Sequence, residues 1–294
     1  MSNERTEAHA NLVLVTGATG RQGGAVAHQL LKAGIPVRAL TRSPGSESAR
    51  QLAAAGAEIV TGDMSVADTL DAALDGVATV FSVQDFYAKD AGYDGEVAQG
   101  TNLARAAKCA GVAHYVQSTM AATSDPGDVD HFRSKFAIER IVESFDLPYT
   151  FVGTVWFMDN VSDPKNGGKL TFPALNGTLA PATKFHMLCI EDLGAAVSRI
   201  IIERDRHLGR RIDLAGDVLT LPELKASYTE ASGRHPKRWA IPNLMLRMFA
   251  RDFAAQLRWH NRVGWSFGTD GLRGLVPDAT DFGHYVARHE VANL

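Results

Sequence analysis

Leu12-Val13-Leu14-Val15-Thr16-Gly17-Ala18-Thr19-Gly20-Arg21-Gln22-Gly23-Gly24 is an apolar run that breaks into glycines and then opens a helical pattern. Four consecutive apolar residues suit a strand buried on both faces of a parallel sheet. Glycines at 17, 20 and 23 give G-x-x-G-x-x-G, whose first member permits a tight turn and whose second lets the backbone approach a pyrophosphate. The third brings helix and strand into close packing. Ala25, Val26, Leu30 and Leu31 carry the apolar face of the following helix, so its N-terminus, with unpaired N–H groups, points at the phosphates. A glycine triplet alone is weak evidence. Between a strand and a helix it predicts dinucleotide binding, with Gly17, Thr19, Gly20, Arg21, Gln22 and Gly23 as cofactor contacts.

Strand and helix alternate outward from this unit. Lys32-Ala33-Gly34 ends the first helix, and Ile35-Pro36-Val37-Arg38-Ala39-Leu40 reads as a second strand. At its end, where an acidic residue would bind an NAD ribose hydroxyl, stands Arg42; an arginine fork there, with Arg21, suits a 2′-phosphate and favours NADP(H). A helix over 49–55, a strand over 57–60 and the loop Gly62-Asp63-Met64 follow, with Asp63 and Met64 at the adenine side. A helix over 66–74 leads to a strand over 78–83, whose Ser82 and Val83 are cofactor contacts and whose extension offers Gln84 and Tyr87 to substrate. Tyr87 is equally readable as a packing aromatic. A long helix over 95–110, a strand over 113–118, a helix over about 130–145 and a strand over 148–152 complete a Rossmann-type, doubly wound parallel α/β sheet.

Past Gly153 the pattern changes. Asp163-Pro164-Lys165-Asn166-Gly167-Gly168 signals a turn, and Leu175-Asn176-Gly177-Thr178 a hairpin tip. An amphipathic helix over 191–202 and a strand over 211–214 return to the sheet pattern. From Thr220, with Glu223 placed for a capping box, the chain turns largely helical and carries Trp239, Trp259 and Trp265. The expected organisation is a dinucleotide-binding domain over 1–153, completed by about 186–216, and a smaller, mostly helical substrate-binding or lid region over 154–185 and 217–294.

Composition bounds the function. The 294 residues are 45% hydrophobic and 21% charged, an ordinary globular balance. A net charge of -3 gives no sequence-wide reason for nucleic acid or an anionic membrane as partner. Cys109 and Cys189 lack metal or redox spacing and read as reduced thiols, as in a cytoplasmic protein. Residues 1–11 show no apolar leader, and nowhere do about 18 apolar residues run together to span a membrane. The histidines show no zinc-ligand spacing, so no metal is expected. Arg234-His235-Pro236-Lys237-Arg238 reads as a solvated turn.

One constellation carries chemistry. Ser118 ends the fifth strand on the ligand side, and His131 and Lys135, four residues apart, share a helix face. His131-Phe132-Arg133-Ser134-Lys135 has Y-x-x-x-K spacing with histidine at the tyrosine position. Trp156 and Phe157, directly after the sixth strand, offer an apolar wall to substrate and serve equally as core.

The glycine motif with its Gln-Gly-Gly ending, Thr41-Arg42, the Ser118/Lys135 pair and Trp156-Phe157-Met158-Asp159-Asn160 together resemble the NmrA-like branch of the atypical short-chain dehydrogenase/reductases. The resemblance implies NADP(H) as cofactor and a choice between two functions. One is an NADPH-dependent reductase of a small apolar carbonyl, quinone or conjugated substrate. The other is a non-catalytic NADP(H)-binding redox sensor with a protein partner; a homodimer is left open. It also implies that Lys135 touches cofactor ribose or substrate rather than standing as a surface lysine, while Ser118 reads equally as a hydroxyl that orients a carbonyl and as a strand-end hydrogen bond to backbone. The departure is the missing tyrosine. His131, with an ordinary pKa near 6.5, is a candidate general acid in its place, with a solvated helix-start histidine as the alternative.

Overall fold

A computed structural model describes residues 11–88, 91–161 and 168–289. Two compact units are present, and each stands by itself. The first comprises the described residues up to Met120 together with Ser134–Gly153 and Leu193–Ile212; the second comprises Ala121–Arg133, Thr154–Asp192 and the chain from Asp213 onward.

The first unit holds β1 (Val13–Val15), β2 (Val37–Thr41), β3 (Glu58–Thr61), β4 (Thr79–Ser82), β5 (His114–Met120), β6 (Tyr149–Thr154) and β9 (Arg210–Asp213), in the spatial order β3-β2-β1-β4-β5-β6-β9. Pairing is parallel from β3 through β5, with Val13 opposite both Val37 and Thr79. β1 and β4 are fully buried, as strands covered by helices on both faces must be. The covering helices include α1 (Arg21–Lys32), α2 (Glu47–Ala54), α3 (Asp71–Leu74), α4 (Gly92–Ala110) and α5 (Asp130–Ser144). Leu14, Val80, Leu103, Tyr115, Ile138 and Val142 interdigitate in one core cluster of this unit. The expected continuous helix over 66–74 is instead a 3-10 turn, Ala67–Thr69, followed by the single α turn of α3. The Thr69 hydroxyl bonds the Asp63 and Val66 carbonyls, diverting the segment before an α ladder forms.

The second unit contains β7 (Trp156–Phe157), β8 (Phe185–Leu188) and β10 (Asp217–Leu219), a three-stranded sheet in the order β10-β8-β7. Strands of two to four residues are too short to show a period of two, so they left no sequence signal. Helices α6 (Thr171–Thr178), α8 (Leu221–Ser232), α9 (Asn243–Phe249), α10 (Arg251–Arg262), α11 (Asp270–Arg273) and α12 (Phe282–Arg288) also lie in this unit, whereas α7 (Ile190–Ile202) belongs to the first unit from Leu193 onward. The Thr220–Glu223 capping pair forms, with the Thr220 N–H donating to Glu223 Oε2 at 2.8 Å. Phe172, Leu175, Phe185, Tyr228, Leu257 and Phe282 build a separate core cluster.

The expected hairpin tip at 175–178 is the last turn of α6, and the turn at Asp163–Gly167 lies outside the described residues. Asn176-Gly177 misleads because its purpose is close approach. The Asn176 amide donates to the carbonyls of Lys237 and Trp239 at 2.9 and 3.0 Å. A Cβ on Gly177 would fall 1.8 Å from the Ile241 carbonyl oxygen. Gly177→Ala is therefore expected to destabilise the protein by about 1–3 kcal/mol, read as a lowered urea midpoint.

Two buried histidines make stability depend on pH. His114 Nε2 donates to the Thr150 hydroxyl at 2.8 Å, since that hydroxyl spends its own proton on the His207 carbonyl. Burial, then the charge of Arg204, lowers the His114 pKa from 6.5 to about 4. His260 donates from Nδ1 to the Gln256 carbonyl and sits edge-on to Trp259 and Trp265. Burial brings it also to about 4. Both folded values lie below the unfolded one, so this stability is full above pH 6.5 and drains as pH falls toward 4. Each histidine contributes on the order of 3 kcal/mol across that window. Denaturant midpoints taken between pH 7 and 5 should fall in the native chain and fall less steeply in His114→Gln.

Candidate functional site

The glycine loop lies in the first unit, between β1 and α1. Gly17 has φ +56°, the left-handed region, and a Cβ there would meet Val83 Cγ1 at 2.9 Å. A Cβ on Gly23 would lie 2.4 Å from the carbonyl oxygens of both Thr16 and Gly17. Gly20 donates its N–H to the Gly17 carbonyl at 2.8 Å and is the N-cap of α1, with no side-chain cap on that helix end. Gly17 and Gly20 are exposed while Ala18 between them is buried. The result is a turn of bare backbone in front of a twelve-residue helix whose N-cap, Gly20, has no side chain to cap it. These residues fit a pyrophosphate: the geometry excludes side chains where phosphate oxygens need room and aims the helix dipole at the opening.

The loop is fixed from below. Thr16 Oγ1 donates to the Val83 carbonyl at 3.0 Å and accepts the Val83 N–H at 2.8 Å, riveting the ends of β1 and β4 together. Ser118, on β5, donates its hydroxyl to Gln22 Oε1 at 2.7 Å, so the structure brings that candidate directly to the glycine loop. Arg21 and Arg42 are both exposed, Arg42 just beyond β2. Asp63 Oδ1 accepts the Ser65 N–H at 2.8 Å, and the Met64 carbonyl accepts from Asn102 at 2.9 Å; both bonds hold the loop after β3 in shape.

Ser82 and Gln84 belong to a buried polar ring. Ser82 donates to Gln117 Oε1 and accepts from both Gln84 and the Tyr115 hydroxyl, while Gln117 donates to Gln84 Oε1, all at 2.7 to 2.9 Å. Burial pushes the Tyr115 hydroxyl above the ordinary tyrosine range, keeping it a neutral donor. Tyr87 is 68% exposed and stands edge-on to Phe86.

Lys135 is not a surface cation. Its Nζ lies 2.8 Å from Glu96 Oε1, with the lysine side chain 6% and the glutamate 0% exposed. The Ser134 hydroxyl donates to the other Glu96 oxygen. The packing that creates this pair is visible one turn on, where Gly100 of α4 sits so near Ile138 of α5 that a Cβ would clash at 2.7 Å. Sequence reasoning missed Glu96; the available signal was an acid one turn before that glycine, on the helix face that Gly100 buries. His131, on the first turn of α5 and in the second unit, is half-buried, with its ring 6.5 Å from that of Phe132.

In the second unit Trp156 packs on Phe185, with ring centroids 5.3 Å apart, and joins the margin of the core cluster. Phe157 beside it is half-buried. Among the described residues no three His, Cys, Asp or Glu gather as a metal site. Burial raises the Cys189 thiol to about 12, which keeps it protonated and inert.

A profile of the NmrA-like family matches residues 9–270. The chain belongs to that family. Quinone oxidoreductase 2 of Escherichia coli is 30% identical over 276 residues, covering 91% of this chain and 86% of that protein. Triphenylmethane reductase of a Citrobacter species, solved with NADP(H), matches the structure with a TM-score of 0.77 at 20% identity, over 95% of this chain and 99% of that one. The negative transcriptional regulator NmrA, solved with NADP, matches with a TM-score of 0.75 at 23% identity over 95% of each chain. At those identities the two structures establish a shared fold, and the NmrA-like fold thus hosts both reductases and a regulator.

The Glu96–Lys135 pair makes a clear prediction. Lys135→Met leaves a buried carboxylate without its counter-charge and should cost about 3–5 kcal/mol in a urea titration. The double variant Glu96→Leu/Lys135→Met should recover most of that loss.

Proposed function

We propose that this NmrA-like chain is an NADPH-dependent reductase that transfers hydride to a small apolar carbonyl, quinone or conjugated substrate. The observation that carries the reading is the bare-backbone cradle of Gly17, Gly20 and Gly23 before an uncapped helix N-terminus. Arg42 and Arg21 are the groups suited to a 2′-phosphate, and the exposed position of Arg42 beyond β2 leaves its fork available. Thr19, Gln22, Val83 and the Asp63-Met64 loop would line the rest of the cofactor. In this reading Tyr87, exposed on the first unit, and Trp156 and Phe157, half-buried in the second, are the substrate contacts each unit offers by itself. Bound NADPH supplies the hydride; the chain's own part is to bind, to orient and to deliver a proton.

His131 is the proposed proton donor. Lys135 enters in a changed part: with its ammonium on Glu96 it acts through the packing of α4 on α5 rather than as an open charge. Ser118, already donating to Gln22, would orient the acceptor or support the glycine loop.

The absent tyrosine and the commitment of Lys135 to Glu96 favour a second reading, a sensor that binds NADP(H) and reports it to a protein partner. A sensor must bind the two redox forms unequally, because equal affinity shifts no equilibrium.

Absorbance at the NADPH band, followed with quinones, aldehydes, ketones and enones, separates the readings. Turnover that falls in His131→Ala supports the reductase; tight NADPH binding without oxidation of any acceptor supports the sensor. Arg42→Ala should weaken NADPH binding by roughly 10- to 100-fold while leaving NADH nearly unchanged, the value of one charge-assisted contact to phosphate. Equal losses for both cofactors would remove Arg42 from the 2′-phosphate.

A further inference from the structure

The segment from Arg234 to Arg251 is unlike the rest of the surface. Trp239, Leu244, Met245, Met248 and Phe249 are between 50% and 82% exposed within eleven residues. The other large apolar side chains left open, such as Val66 and Ile202, are scattered singly through the chain. The segment is not loose. Leu246 is buried in the core of the second unit, the Ile241 N–H donates to the Pro173 carbonyl at 2.8 Å, and Asn176 holds the carbonyls of Lys237 and Trp239. The backbone is strapped down while the apolar side chains point out.

The charge of the same stretch is as uneven. Arg234, Lys237, Arg238, Arg247 and Arg251 all lie within it, and no Asp or Glu falls between Glu230 and Asp252. A chain of net charge -3 thus places five cations on one short strap beside five exposed large apolar side chains; Lys237 Nζ donates to the Lys169 carbonyl at 2.9 Å and Arg238 shares a pocket with Glu230, which leaves Arg234, Arg247 and Arg251 as its main outward charges. The charge selects the occupant. A second copy docked through this patch by a two-fold axis would set cations against cations. A nucleic acid would pair the arginines but leave Leu244, Met245, Met248 and Phe249 wet. An anionic bilayer surface meets both halves at once: cations at the headgroups, Trp239 at the polar boundary, aliphatic and aromatic tips in the acyl margin.

We propose that residues 234–251 dock this protein on anionic phospholipid membranes. The contact is peripheral, since no helix among the described residues is long and apolar enough to cross a membrane. Residues 234–251 lie within the segment 217–294 that the reductase reading gives to substrate, but the membrane contact does not depend on that reading.

Flotation of the full chain with phosphatidylcholine vesicles, with and without roughly a third phosphatidylglycerol, tests this. The protein should float only with the anionic vesicles and be released by high salt. Arg234→Gln/Arg238→Gln/Arg247→Gln should weaken partitioning on the order of a hundredfold. Met248→Glu/Phe249→Glu should abolish flotation, while Ile202→Glu, a charge placed on an exposed apolar residue elsewhere, should leave it intact. The proposal falls if the native chain stays below the anionic vesicles, if either multiple variant floats as the native chain does, or if Ile202→Glu also prevents flotation. It falls equally if sedimentation shows a dimer that Met248→Glu/Phe249→Glu converts to monomer, or if DNA is bound and anionic vesicles are not. Because every altered side chain is exposed or half-exposed, unchanged circular dichroism and melting temperature should accompany each variant.

Discussion

A Cβ at position 23 would stand 2.4 Å from two carbonyl oxygens, and the absence of that one atom lets α1 begin directly against the end of β1. The arrangement at the glycine-loop end of the first unit follows from this approach. With the helix that close, it begins directly at the uncapped Gly20 beside the turn, and Gly17 takes the left-handed conformation the turn needs. Thr16 then has to serve two strands, bonding both polar groups of the Val83 backbone. The rivet fixes where β4 ends and sets Ser82 into the polar ring with Tyr115, Gln84 and Gln117. A fully satisfied buried ring of this kind resists rearrangement, because opening any bond strands a polar atom in the core.

The second organising constraint is electrostatic. Glu96 is completely buried, and a buried carboxylate survives only with a counter-charge and hydrogen bonds; Lys135 and Ser134 provide both. This changes what a lysine at the end of a Y-x-x-x-K spacing means in this chain. Its ammonium is part of the α4–α5 packing, paired with a buried carboxylate. The two functional readings therefore turn on the histidine and the cofactor more than on the lysine.

Whole-chain averages concealed the surface feature. A net charge of -3 argues against polyanion partners only if the charges are mixed, and here five cations and five exposed apolar side chains share one stretch with no Asp or Glu between Glu230 and Asp252. The strap keeps its shape because Leu246 and the Asn176–Gly177 contact anchor it from the inside. Firm anchorage of a segment with an outward apolar face marks a surface built for contact rather than one left over from folding.

The sequence by itself determined the βαβ start, the parallel α/β sheet and the glycine cradle, because each rests on local signals: an unbroken apolar run, glycines at fixed spacing and an amphipathic helix within a few dozen residues. Arg42 was readable for the same reason, since its position follows from where β2 stops. The tertiary structure decided what depends on pairs far apart in the chain. Glu96 with Lys135, Ser118 with Gln22, and Gly177 with Ile241 each join residues 39 to 96 positions apart, and no local pattern distinguishes an acid bound for a buried ion pair from one facing water. Asn-Gly at 176–177 shows the limit most plainly. The dipeptide that signals a tight turn locally was placed instead at the end of a helix, because the missing side chain was needed by a neighbouring backbone that the local sequence does not contain.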